Sequence, residues 1–279
     1  MYLPSRKTSF AMAILLSGLT VAGAIPAQEL TSFDGWTDEQ KEEFLRTAEI
    51  VETADLSVGI TQPLRATLRR RDVVHDAHIQ RINERAPIKQ TATGREFNFR
   101  DYWGFNIAAY RLDRLLGLNI IPVAVERKYQ RTTAAFSWWI DNVQMMEKDR
   151  WQRNVEPPDQ EEWNRQMLMA RVFNQLVHNT DPNLGNVLID TNWKIWLVDY
   201  TRAFRVETKL LRPEGLTHID RDLLARLRAL NSERVKAALG DLLSRREQRS
   251  LLERRDKIVQ LYDSKIAIEG AGAVLYGGP

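Results

Sequence analysis

The sequence predicts an α+β chain of two lobes, a small mixed lobe followed by a larger, mainly helical one. Three observations carry this. Before the turn EPPD at 156–159, short β-branched and aromatic runs alternate with turn residues; after it, apolar residues recur at helical spacing. A single insert, residues 178–204, breaks the helical half with two short strand-like runs around an Asp-Thr-Asn turn. No internal repeat or second low-complexity segment appears.

The first 27 residues read as a signal peptide. Arg6 and Lys7 precede an apolar or small run from Phe10 to Ala24, closed by Pro26, Ala27 and Gln28. A membrane-spanning anchor needs about 18–20 apolar residues, and this run is shorter, so export with cleavage after Ala24 or Ala27 is expected, with an uncleaved anchor as the alternative. Next, a helix is expected over Asp38–Ala54, with Thr37 as its N-cap and Glu39, Glu42 and Glu43 near its positive end. Residues 28–54 are therefore read as an N-terminal helical extension, 55–155 as the first lobe, 156–265 as the second and 266–279 as a tail.

In the first lobe, Gly59–Arg69 and Val73–Ile82 form a hairpin turned at Arg70-Arg71-Asp72. A helix follows over Asp101–Leu116, where Phe105, Ala108, Leu112, Leu115 and Leu116 keep a 3.6 period and Gly117 stands as the C-cap. Ile120–Tyr129 and Ala134–Ile140 read as strands. In the second lobe, Asp159–Val177 is a helix with Trp163, Met167, Ala170, Phe173 and Val177 on one face. Beyond Arg205 the chain is nearly all helix, including 220–230 and 244–262.

Composition excludes several functions. The 279 residues contain no cysteine, which removes disulfide scaffolds, thiolate catalysis and cysteine-ligated metal centres. Lys and Arg total 40 against 37 Asp and Glu, and two of the cations lie in the leader. The near-neutral, mixed-sign remainder has no nucleic-acid footprint.

The chemistry concentrates in HNTDPNLGNVLIDTNWKIWLVDYTRAF, residues 178–204. Asp181 can accept a proton from an attacking hydroxyl, and Asn186 and Asp199 offer hard oxygen ligands suited to Mg2+. Such a set transfers phosphoryl groups by positioning and charge neutralisation. A plainer reading is that Asp181 and Asn186 only cap and turn a loop.

This stretch resembles the catalytic core of the protein kinase-like superfamily. The five-residue interval from Asp181 to Asn186 and the thirteen-residue interval to Asp199 match the family's catalytic Asp, metal Asn and metal Asp. DPNLGNVLID followed by WLVDYTRAF is closer to atypical branches, namely phosphoinositide kinases, HipA-type kinases and secretory-pathway kinases. The resemblance implies a two-lobed protein kinase-like fold over about residues 55–265, ATP as donor, and Mg2+ or Mn2+ on Asn186 and Asp199 with Asp181 as the catalytic residue. It also implies where the chain departs. The family's strand Lys and helix Glu correspond to Gln80 and Asn106, a neutral pair that cannot clamp phosphates. Lys89, Arg65, Arg69 or Arg81 could supply the cation instead. Gly59 is the lone glycine where a phosphate-cradling loop is expected, and Thr201 stands at the position of the usual glycine after the metal Asp.

Other residues read as structural. His75 and His78, three apart on a strand, point to opposite faces; His178 supports the loop backbone, and His218 lies at the surface. Of Trp138 and Trp139, one belongs to the core and one can line the cleft. Arg245, Arg246, Arg249, Arg254 and Arg255 are expected on a solvated face of the last helix. Two functions follow: an exported Mg-ATP-dependent phosphotransferase acting on an unspecified hydroxyl of a protein, lipid, sugar or small molecule, or a pseudokinase serving as a binding module, with AMP transfer as a variant of the first.

Overall fold

A computed structural model describes residues 33, 35–56, 63–91 and 94–278. The expected leader over 1–27 and Gly59 lie outside the described residues. Among those described, no helix is long and apolar enough to cross a membrane.

The first lobe is built on an antiparallel five-stranded sheet. Helix α1 (Asp38–Thr47) begins at a capping box in which the Thr37 hydroxyl accepts from Gln40 N–H and the Gln40 carbonyl accepts from Thr37 N–H. It ends at Thr47, seven residues before Ala54, because Ile50, Val51 and Thr53 favour extended backbone. That segment is strand β1 (Glu49–Asp55), paired with β2 (Leu64–Arg70) as the sheet's edge. Strand β3 (Val73–Gln80) returns from β2 through the expected turn, with Arg71 in the left-handed region at φ 56°.

A second hairpin follows that the sequence reading passed over. It joins β4 (Asn83–Thr91) to β5 (Gly94–Tyr102) and forms a separate two-stranded sheet. Helix α2 (Gly104–Leu116) then packs under the main sheet and stops at Gly117, φ 63°. Strands β6 (Ala124–Tyr129) and β7 (Thr132–Trp138) complete the sheet in the order β1-β2-β3-β7-β6. Both are displaced from the ranges read from sequence: β6 starts four residues later, and β7 ends at Trp138.

The buried face carries Leu64, Ala66, Leu68, Ala77 and Ile79, which pack with Phe105, Ile107 and Leu112 of α2. Helix α1 ties α2 in place from behind. Tyr110 Oη donates to Glu42 Oε1 at 2.9 Å, Arg114 pairs with Asp38, and Arg127 Nη1 of β6 donates to Leu45 O at 2.9 Å. His75 is buried and stacked on Trp138 at 3.7 Å, whereas His78 faces the opposite side, as strand alternation requires.

The second lobe begins with β8 (Val143–Met146) and a short helix α3 (Glu147–Arg153), then α4 (Gln160–Leu176), capped by Asp159. Strands β9 (Val187–Asp190) and β10 (Ile195–Leu197) form the expected hairpin and add β8 to make three strands. Helices α5 (Arg221–Ala229), α6 (Ser232–Leu239) and α7 (Arg245–Glu269) follow. Helix α7 runs seven residues past Tyr262. It also corrects one expectation: Arg254 is fully buried, not solvated. Its guanidinium donates to the carbonyls of Leu176 (2.7 Å), Arg205 (2.8 Å) and Glu207. One side chain thus binds the end of α4 to the segment after Asp199.

Candidate functional site

In the loop after α4 the turn is capped by Asn183. Asn183 Oδ1 accepts from Gly185 N–H at 2.6 Å, and Asn183 O from Asn186 N–H at 3.1 Å. The side-chain cap of this turn thus belongs to Asn183, while Asp181 and Asn186 join it through their backbones. Asp181 is instead positioned through its backbone: its N–H donates to Asn179 Oδ1 at 3.0 Å, and Asn179 is held by Asn174 Oδ1 at 3.1 Å.

The hairpin β9–β10 returns the chain to this loop. Val198 N–H donates to Asn186 O at 3.0 Å, so the Asn186 backbone is bonded one residue before Asp199. Asp199 takes the left-handed conformation, φ 58°, which turns the chain sharply there. The next three residues are each fixed. Tyr200 N–H donates to Asn106 Oδ1 at 2.7 Å, and Thr201 Oγ1 donates to Asp199 Oδ1 at 3.0 Å. Arg202 Nη1 lies 3.4 Å from Asp181 Oδ2, and Arg202 O accepts from Thr180 N–H and Oγ1–H. Asp181, Asn186 and Asp199 therefore belong to one bonded unit.

The residues matched to the family's ion pair do other work. The Gln80 carbonyl accepts from Arg81 and Ile82 N–H at 2.9 and 3.1 Å, and Asn106 anchors the turn after Asp199. Lys89 forms an ion pair with Glu84 and lies over the Phe99 ring at 4.3 Å. Arg65 pairs with Asp76 and stacks on Trp139 at 4.5 Å; Trp138 is the core member of that tryptophan pair. Arg81 lies over Tyr129, and Arg69 is exposed.

Four charged residues at the site were not anticipated. Asp101, at the end of β5, is buried with Oδ1 unpartnered among the described residues. Burial pushes its carboxyl up, Thr201 opposes this by hydrogen bonding, and the charge of Asp199 adds to it. Glu96 of β5 pairs with both Arg202 and Arg205, while Arg205 Nη1 donates to Arg100 O at 3.0 Å. The β4–β5 hairpin is thus fastened against the segment that follows Asp199. Desolvation holds the His78 ring below its ordinary value, against the charge of Asp199, which places this strand residue within reach of the site. His178, φ 50° and buried, is pushed down to about 4, first by burial and then by Arg254.

The residues fit a divalent cation. Asp199 and Asn186 supply hard oxygens, and the buried Asp101 carboxyl, crowded by Asp199, marks negative charge that a cation would offset. Among the described residues, no group of three His, Cys, Asp or Glu forms a metal cluster.

No protein-family profile and no curated protein matches the chain. Solved structures do. The structure of hydra Fam20 with sugar aligns with TM-score 0.65 at 13% identity, covering 85% of this chain and 91% of that one. The Golgi casein kinase with Mn/ADP bound aligns with TM-score 0.63 at 12% identity, over 87% and 80%. The Helicobacter pylori proinflammatory kinase CtkA aligns with TM-score 0.51 at 12% identity, over 81% and 97%. The fold is therefore two-lobed and protein kinase-like.

Proposed function

We propose that the protein is an ATP-dependent phosphotransferase acting on a hydroxyl acceptor. The observation that carries this is the bonded unit of Asp181, Asn186 and Asp199, in which Asn183 takes over the turn. Asp181 accepts the proton of the acceptor hydroxyl. The freed oxygen bonds to the terminal phosphorus as the bond to the β-phosphate oxygen breaks, and ADP leaves. Asn186 and Asp199 hold Mg2+ or Mn2+, which when bound offsets the phosphate charge. Gln80 and Lys89 border the nucleotide, and Asn106 positions Asp199 through Tyr200. The Golgi casein kinase solved with Mn/ADP supports nucleotide and divalent metal together, and hydra Fam20 solved with sugar supports a hydroxyl-bearing ligand. Residues 1–27 direct export, and the mature enzyme works outside the cytoplasm or in a secretory lumen.

Calorimetric titration of the mature chain with ATP, with and without Mg2+ or Mn2+, tests the reading. Metal-dependent binding lost in Asp199→Ala is expected. Absence of binding with either metal, in a folded sample, would overturn it. The neutral Gln80 in place of a lysine favours one second reading, a pseudokinase that binds partners without transfer. Nucleotide binding with neither phosphoryl nor adenylyl transfer to any acceptor class would mark it.

A further inference from the structure

The chain lacks the family's strand lysine, so the terminal phosphate needs another cation. Three features single out Arg202. It touches the catalytic carboxylate, with Nη1 3.4 Å from Asp181 Oδ2. Its side chain is largely buried, at 21% exposure, and its Nε is buried without a hydrogen-bond partner among the described residues. It is also held from both sides, by the ion pair with Glu96 and by the bonds from Thr180 to its carbonyl. Lys89 pairs with Glu84 and Arg65 with Asp76, and each is more exposed than Arg202, at 36% and 48%.

Distance makes the role specific. Asp181 must lie about 3 Å from the acceptor hydroxyl, and that oxygen must lie about 3–3.5 Å from the phosphorus it attacks. A guanidinium against Asp181 therefore stands beside the transferred group. Its planar fork suits phosphate oxygens better than an ammonium does.

Resting on the phosphotransferase reading, we infer that Arg202 is the cation that meets the terminal phosphate, and that Glu96 of the β4–β5 hairpin sets its position. The test compares a non-hydrolysable ATP analogue with ADP, each with Mg2+, by calorimetry on the full mature chain. Arg202→Met should weaken the triphosphate about tenfold and leave ADP unchanged, as expected for loss of one charged phosphate contact. Arg202→Lys should give a smaller loss in the same direction, and carries the test if the methionine variant does not fold. A triphosphate-to-ADP ratio unchanged in either folded variant, or equal weakening of both nucleotides, overturns the assignment while leaving the phosphotransferase reading intact. Failure of the unmodified protein to bind either nucleotide overturns both.

Discussion

The β9–β10 hairpin and the β4–β5 hairpin bring charged side chains to the same place by opposite means. The first does so through chain spacing: Asn186 immediately precedes β9, and Asp199 follows β10 by two residues. The second does so through packing, since Glu96 meets Arg202 across 106 residues of chain and Arg100 meets Glu247 across 147. Local spacing fixes the side of the site with Asn186 and Asp199, whereas distant contacts fix the side with Glu96 and Arg202. A sequence can thus keep the first while rewriting the second.

The sharpest way to break this contrast is to remove the pin between the end of α4 and the segment after Asp199. Arg254→Met leaves three buried carbonyls without their donor, and a loss of about 3–5 kcal/mol is expected. Urea unfolding measures it; a change under about 1 kcal/mol would show that the loop holds itself.

A pH series probes the same region. His178, held at about 4 rather than 6.5 by burial and then by Arg254, is neutral when folded. Its contribution is complete above pH 6.5 and is lost as pH falls toward 4, about 3 kcal/mol in all. Asp113 acts in the opposite sense: its carboxyl is raised to about 6 by burial, opposed by Arg114, so its share grows as pH falls. The His178→Asn variant, which tolerates φ 50°, isolates the first effect, because the gap between its pH profile and that of the unmodified protein should change by about 3 kcal/mol between pH 6.5 and 4 and stay constant outside that window. Parallel profiles would rule it out.

The smallest effect tests the link between the lobes. Asn106→Ala deprives a buried Tyr200 N–H of its acceptor, at about 1–2 kcal/mol. Thermal unfolding should record the loss, and nucleotide affinity should fall with it. Unchanged affinity would separate the helix from the Asp199 turn.

These differences explain what the sequence could yield. The intervals between Asp181, Asn186 and Asp199 can be counted in the sequence, and the helices of the second lobe follow from their apolar period. The β4–β5 hairpin escapes because β4 is mostly polar with no buried residue, and Pro87 interrupts it, so no apolar alternation marks the strand. Edge strand β1 is hidden for a similar reason: a largely exposed run of Glu, Thr and Ala suits a helix end as well as an edge. Arg254 defeats polarity as a guide, because its partners are backbone carbonyls that carry no side-chain signature. Arg202 stands in plain view three residues after Asp199, yet its place becomes apparent only with Glu96 beside it.

The fastening of α2 by α1 bears on control. Swinging α2 outward would break the Tyr110–Glu42 and Arg114–Asp38 contacts behind it and the Asn106–Tyr200 bond in front. The helix is a strut and not a lever: α2 cannot move alone without losing contacts on both of its sides.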